Sequence, residues 1–325
     1  MNRVSRRQAL LVTSAFALLP AVGHADDWPK ARPLRAVVPF AAGSSTDILA
    51  RTVLDEVAKL LGQTIVVENR AGASGTIGAN AVAKADPDGY TLLIHSSSHT
   101  VTPSTFNNPP YNAEADFAPV VPLATIPNVV VVNPAKGYRT LRDLVDAAKK
   151  NPGAFNYASA GAGSATHLTA ERLKMAAGLD GQHIAFKGSS EALTEVIAGR
   201  VDFYCSPVNA AIELIKDNRV TALAVSSAQR ASALPDVPTT VEAGFPDSGY
   251  EFWIGAFLPR QTPKPIVERL HAEILKALAG PALMKKFSEL GADPLKISSA
   301  EFEALIKHEI QANAALVKAA GIKAN

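Results

Sequence analysis

The sequence predicts an α/β protein of two lobes with a ligand cleft between them. Three observations carry that reading. Strand-like apolar runs alternate with amphipathic runs of helical spacing. Two extended, Pro-bearing passages separate the alternating blocks. A turn rich in Gly and hydroxyl residues recurs where a strand-like run gives way to a helix-like one. About 300 residues beyond a leader are too many for one small core and suit two lobes.

The elements follow in order. Residues 1–25 carry Arg3, Arg6 and Arg7, an apolar run from Ala9 to Val22, and the small residues Gly23 and Ala25. That is the pattern of a cleaved secretory signal, too short for a membrane span. The pair Arg6-Arg7 suggests the twin-arginine export route. "LRAVVPF" reads as a strand. Asp47 to Leu61 reads as a helix on the spacing of Ile48, Leu49, Val53, Val57, Leu60 and Leu61, with Gly62 to end it. "TIVVENR", a small-residue helix closed by Pro-Asp-Gly, and "YTLLIHSSS" complete β-α-β-α-β, the pattern of a parallel sheet covered by helices. A second block repeats it: "NVVVVNP", a helix capped by Thr140 with Asp143 in its first turn, "FNYAS", a helix after "AGAGSATH", "HIAFKG", a helix after "KGSSE", "VDFYC" and "VTALAVSS". The tail from Pro265 reads as three helices around a short strand near "DPLKIS". The linking passages, "DFAPVVPLATIPNVVVV" and "LAVSSAQRASALPDVPTTVEAGFPDSGYEF", fit a lobe inserted within a lobe, hence a two-strand hinge. The expected division is 26–124 with 226–325 for one lobe and 125–225 for the other.

Without the leader's three arginines, 32 basic residues against 30 acidic become 29 against 30. Nothing in that balance argues for nucleic acid or an anionic membrane surface. The single Cys205 follows an apolar run and reads as a buried thiol.

The recurring turns are "PFAAGSSTD", "ASAGAGSATH" and "FKGSSEA". Each would place Gly, Ser or Thr at a helix start, where unpaired N–H groups and the helix dipole favour a carboxylate. Ser44 to Asp47 also matches a capping box, with Asp47 as its helix-start carboxylate. "SSSHT", which includes Ser97, would add polar groups to the same edge. Gly161-Ala162-Gly163 resembles part of a dinucleotide fingerprint, but Thr166 replaces the third Gly. No G-x-S-x-G surrounds Ser164, and His167 lacks a metal-spaced partner. Lys187 would pair with a ligand carboxylate or stand exposed.

The segments "VVPFAAGSSTDILAR", "VVENRAGASGTIGANAVAKADPDGYTLL", "NPGAFNYASAGAGSATHL", "AGRVDF", "LPDVPTTVEAGFP" and "TPKPIVERLHAEILKAL" resemble the substrate-binding proteins of tripartite tricarboxylate transporters, the Bug receptors. The resemblance runs through essentially the whole chain after the leader. It implies a two-lobed periplasmic binding protein fold of type II, with a double-crossover hinge and a small carboxylate held between the lobes. Carried over residue by residue, it implies binding loops at Phe40, Gly43, Ser44, Ser45 and Asp47; at Ala160, Gly161, Ser164, Thr166 and His167; and at Lys187 and Gly188. The family's usual Pro-Gly-Gly is Ala42-Gly43-Ser44 here, its Tyr before Lys-Gly is Phe186, and Ser206-Pro207 stands where an acidic residue is common.

The resulting expectation is a monomeric periplasmic receptor, not an enzyme. It would capture an organic, amino or aromatic acid for the membrane components of such a transporter, without cofactor, metal or nucleic acid. The alternatives are a ligand-presenting partner of a membrane sensor and a secreted hydrolase using Ser164 and His167.

Overall fold

The computed structural model describes residues 28–322, and the expected leader at 1–25 lies outside them. Two five-stranded sheets form the scaffold, each covered by helices. The first sheet begins with β1 (Leu34–Val38), α1 (Ser45–Leu61), β2 (Ile65–Asn69), α2 (Thr76–Ala83) and β3 (Thr91–Ser96). β1 lies between β2 and β3 and is parallel to both, as the alternation predicts. α1 forms where the spacing places it, burying Leu49, Val53, Leu54, Val57 and Leu61. Gly62 stops it at φ 61°, a left-handed conformation that suits a residue without a Cβ.

After a short helix, α3 (Thr102–Thr105), the first linking passage is itself a strand, β4 (Phe117–Thr125). Pro119 and Pro122 obscure it in the sequence, yet β4 is the outermost strand of its sheet, where missing N–H donors cost little. The chain then crosses to β5 (Asn128–Val132), α4 (Leu141–Lys150), β6 (Asn156–Ser159), α5 (Ala165–Ala177), β7 (Gln182–Ala185), α6 (Ser189–Ile197), β8 (Phe203–Pro207), α7 (Val208–Lys216) and β9 (Thr221–Val225). It returns through β10 (Trp253–Pro259) to α8 (Lys264–Leu278), α9 (Pro281–Glu289) and α10 (Ser299–Ala319). α7 and β10 have no counterpart in the sequence reading.

The strand orders are β2-β1-β3-β10-β4 and β7-β6-β8-β5-β9. In each, the fourth position is antiparallel to its neighbours and is filled by the strand that has just crossed from the other sheet. The two crossings touch, because the Ile126 N–H donates to the Phe252 carbonyl (2.8 Å). The second falls later than the sequence suggests. Thr239 bridges Val225, and Phe245 packs in the core with Val130 and Phe203, so the passage after Val225 stays with the second sheet until about Glu251. The strand expected near "DPLKIS" shrinks to one bridge, Thr125 with Asp293. Cys205 is a buried free thiol in β8, and burial raises its pKa well above the ordinary range.

Candidate functional site

The carboxyl ends of β1, β3, β6, β7 and β8 face a cavity of about 900 Å³ between the two layers. That edge is where open α/β sheets place ligands. Of the residues singled out from sequence, Phe40, Gly43, Ser44, Ser45, Ala160, Gly161, Thr166, Lys187 and Gly188 line it. Asp47, Ser97, Ser164 and His167 do not; they are buried behind the lining, and Asp47, Ser164 and His167 each hold their own loop.

Ser44 caps α1, its Oγ accepting from the Asp47 N–H (3.3 Å). The other half of the capping box is displaced by one residue, since the Asp47 carboxylate takes the Gly43 N–H (2.9 Å). It also accepts from Arg51 Nε (3.0 Å) and Asn69 Nδ2 (2.8 Å), and the same Asn69 amide reaches the Phe40 carbonyl (3.1 Å). Burial pushes the Asp47 carboxyl up, but the hydrogen bonds from Gly43, Arg51 and Asn69 and the charge of Arg51 outweigh it and hold it below the ordinary value. Asp47 therefore ties down the Phe40–Ser44 loop from behind.

The loop before α5 satisfies most of its own donors. The N–H groups of Ala160, Gly161 and Gly163 go to Thr166 Oγ1 (2.9 Å), Ser159 Oγ (3.1 Å) and His167 Nδ1 (3.0 Å). Ser164 caps α5 by accepting the His167 N–H (3.3 Å). Because His167 Nδ1 accepts a backbone proton, the ring proton sits on Nε2, which faces Glu171 at 3.8 Å. The ring stacks on His183 at 3.7 Å between centroids. Burial and the neighbouring ring depress His167 to about 3, and burial depresses His183 to about 4, so both are neutral at working pH. Ser164 Oγ and the His167 ring are not hydrogen-bonded to one another, so the nucleophile–base pair of the hydrolase reading is not formed.

α6 opens at Gly188 with no side-chain cap, leaving first-turn N–H groups at the cavity. Lys187 is exposed at its mouth, and its backbone N–H donates to Glu191 Oε2 (3.0 Å). Of "SSSHT", Ser96 and Ser98 reach the lining, whereas Ser97 Oγ is buried without a partner. Three hydrogen bonds cross between the layers around the cavity. Ser45 Oγ donates to Asn209 Oδ1 (2.8 Å), Ser74 Oγ to the Ala162 carbonyl (2.7 Å), and the Ala165 N–H to Ser98 Oγ (3.2 Å). The cleft is thus closed over its cavity.

Sequence reasoning missed the loop from Ala71 to Gly75, and also Ile48, Leu193, Asn209, Ala210 and Phe252. The small residues of "RAGASG" were a usable signal for the first. The others sit inside elements or at a crossing, where no local pattern marks them. Gly161 has φ +136°, but a Cβ there would meet only the Phe186 carbonyl, at 3.8 Å. Gly161→Val is therefore strained through its backbone, whatever room its Cβ finds. The variant should lose about 1–3 kcal/mol of stability and at least about tenfold in carboxylate affinity, measured by chemical denaturation and calorimetric titration. Wild-type affinity in the folded variant would remove this loop from the site.

A family model described as "Tripartite tricarboxylate transporter family receptor" matches residues 49–322. A Pseudomonas protein from the tcbD-tcbE intergenic region is 40% identical over 289 residues, covering 88% of this chain and 86% of its own length. Among solved structures, the periplasmic binding protein BugD matches with a TM-score of 0.84 at 34% identity, over 91% of this chain and 99% of its own. An R. palustris protein with bound adipate matches with a TM-score of 0.87 at 32% identity, over 92% and 100%. The fold and cavity define a two-lobed periplasmic-type solute-binding protein. The chain belongs to the tripartite tricarboxylate transporter receptor family, which includes the Bug proteins. Among the described residues, no helix is long and apolar enough to cross a membrane.

Proposed function

We propose that this protein captures a small carboxylate between its lobes in the periplasm and presents it to the membrane components of a tripartite tricarboxylate-type transporter. The observation that carries the reading is the cavity itself: strand ends from both sheets converge on it, and hydrogen bonds from both sides close it. Export through the leader at 1–25 is part of the proposal, as is a division into lobes at the two crossings, near Ile126 and Glu251. Among the residues predicted from sequence, those proposed to touch ligand are the nine that line the cavity. A ligand that contacts both lobes favours the closed state, because only closure completes both sets of contacts.

A thermal-shift panel of small organic acids on the mature protein tests this. A true ligand at 100 times its dissociation constant should stabilise the fold by about 2.7 kcal/mol. Small-angle scattering should show compaction with the same acid. A panel in which no carboxylate shifts the melting point would sink the proposal.

A further inference from the structure

Resting on that reading, we infer that His183 is a positioning residue for the bound carboxylate. It does not line the cavity, yet through Ser159 it holds the Ala160–Gly163 loop in the form that meets the ligand. The strands bring the two side chains together. β6 and β7 run parallel with Tyr157 beside His183 and Ser159 beside Ala185. Side chains two apart on a strand share a face, so His183 and Ser159 stand on the same side of the sheet. The Tyr157 and His183 rings stack there at 5.2 Å. α5 lays His167 on that face too, and the two imidazoles stack at 3.7 Å with 9° between their planes.

Counting protons fixes the direction of the contacts. A serine hydroxyl has one proton to give and two lone pairs to accept with. Ser159 Oγ gives its proton to the Gly161 carbonyl (2.9 Å) and accepts the Gly161 N–H (3.1 Å). His183 Nε2, 2.6 Å away, meets the remaining lone pair and must donate to it. The neutral His183 ring therefore carries its proton on Nε2. His167 works the other way round, with Nδ1 accepting the Gly163 N–H. Gly161 has φ +136° and Gly163 φ +71°. Glycine leaves such conformations freely, so the loop keeps its shape through the two N–H groups that Ser159 and His167 hold. Ser159 is fully buried and adjoins Ala160 and Gly161, which line the cavity. Without the His183 proton, the Ser159 oxygen keeps an unmet lone pair away from water, and its hydroxyl can turn from Gly161.

The test is calorimetric titration of the mature protein with succinate, adipate, citrate, benzoate and any further acid that raised the melting point in the thermal-shift panel. Each variant is checked for folding by circular dichroism. His183→Phe keeps a flat ring on His167 but has no proton for Ser159. It should bind each acid that the wild type binds at least about tenfold more weakly. His183→Gln, whose amide can donate from the place of Nε2, should stay within about threefold of the wild type. Ser159→Ala alone should also lose at least about tenfold, and adding His183→Phe to it should cost less than about twofold more, because the ring acts through that hydroxyl. Hydrogen exchange at residues 160–163 of the ligand-free protein should quicken in His183→Phe and Ser159→Ala but not in His183→Gln. Wild-type affinity in folded His183→Phe, or losses that add in the double variant, would overturn this inference and leave the carboxylate receptor standing. Should His183→Phe fail to fold, wild-type affinity in Ser159→Ala, or a tenfold loss in His183→Gln, would overturn it in the same way. No binding of any acid by the wild type, in the titration or in the panel, would overturn both.

Discussion

Glu309→Gln should remove a pH dependence of stability that the wild type shows between pH 4.5 and about 7. Glu309 is partly buried on α10, where its carboxyl accepts from Trp253 Nε1 (3.0 Å) and from Thr100 Oγ1 (3.1 Å). Burial pushes its pKa up to about 7, against the hydrogen bonds of Trp253 and Thr100 and the Arg172 charge that lower it; Glu251 raises it further. Thr100 has one hydroxyl proton, and the Ser97 carbonyl at 2.7 Å and the Glu309 carboxyl at 3.1 Å both stand to accept it, while Asn313 donates to the same oxygen at 2.8 Å.

The unfolded chain releases this proton near 4.5, and the folded chain keeps it to about 7. Within that window the native state binds the extra proton, so stability falls as pH rises through it. The difference amounts to about 3 kcal/mol and is complete by about pH 8. Four histidines, three of them buried and His183 partly so, slope the other way. His95 is depressed well below 6.5, His99 and His183 to about 4 and His167 to about 3, so the stability they carry is lost as pH falls below 6.5. Subtracting the Glu309→Gln curve from the wild-type curve, both from urea denaturation, isolates the acid. Trp253 emission should titrate over the same range in the wild type and stay flat in the variant. Parallel stability curves would show that Glu309 is ionised throughout.

Asp47→Ala should weaken both the fold and the site. The side chain is 4% exposed and serves Gly43, Arg51 and Asn69 together. Its removal strands a backbone N–H and an amide and frees a half-exposed guanidinium, which together should cost about 3 kcal/mol. Because Asn69 also holds the Phe40 carbonyl, the loop loses its tie, and affinity for a carboxylate found in the thermal-shift panel should fall at least about tenfold. Asp47→Asn keeps an acceptor for Gly43 and should recover part of both losses. Denaturant midpoints and calorimetric titration check this. Normal affinity in Asp47→Ala would separate the tie from binding.

The parallel halves of both sheets, the amphipathic face of α1 and the loops that follow β1, β6 and β7 were legible in the sequence, because each is written in contiguous residues as a period, a cap or a glycine. Thr140 and Asp143 form the capping box expected of them, since both partners lie within one helical turn. The roles of Asp47, Ser164 and His167 were not legible in the same way. A helix-start carboxylate, hydroxyl or imidazole looks alike whether it faces a ligand or its own loop, and only the packing of β2 and β6 behind those loops decided that they turn inward. The same holds for β4, whose prolines are admissible because it became an edge, and for β10, whose pairing partners lie more than a hundred residues away in sequence. The sequence by itself determined most of the strands and helices, with β4, α7 and β10 the exceptions, and that anion-friendly turns recur. Only the tertiary structure decided that Asn209 would meet Ser45 and that Leu193 and Ile48 would line one cavity, because residues so far apart in the chain are brought together with no local periodicity to announce it.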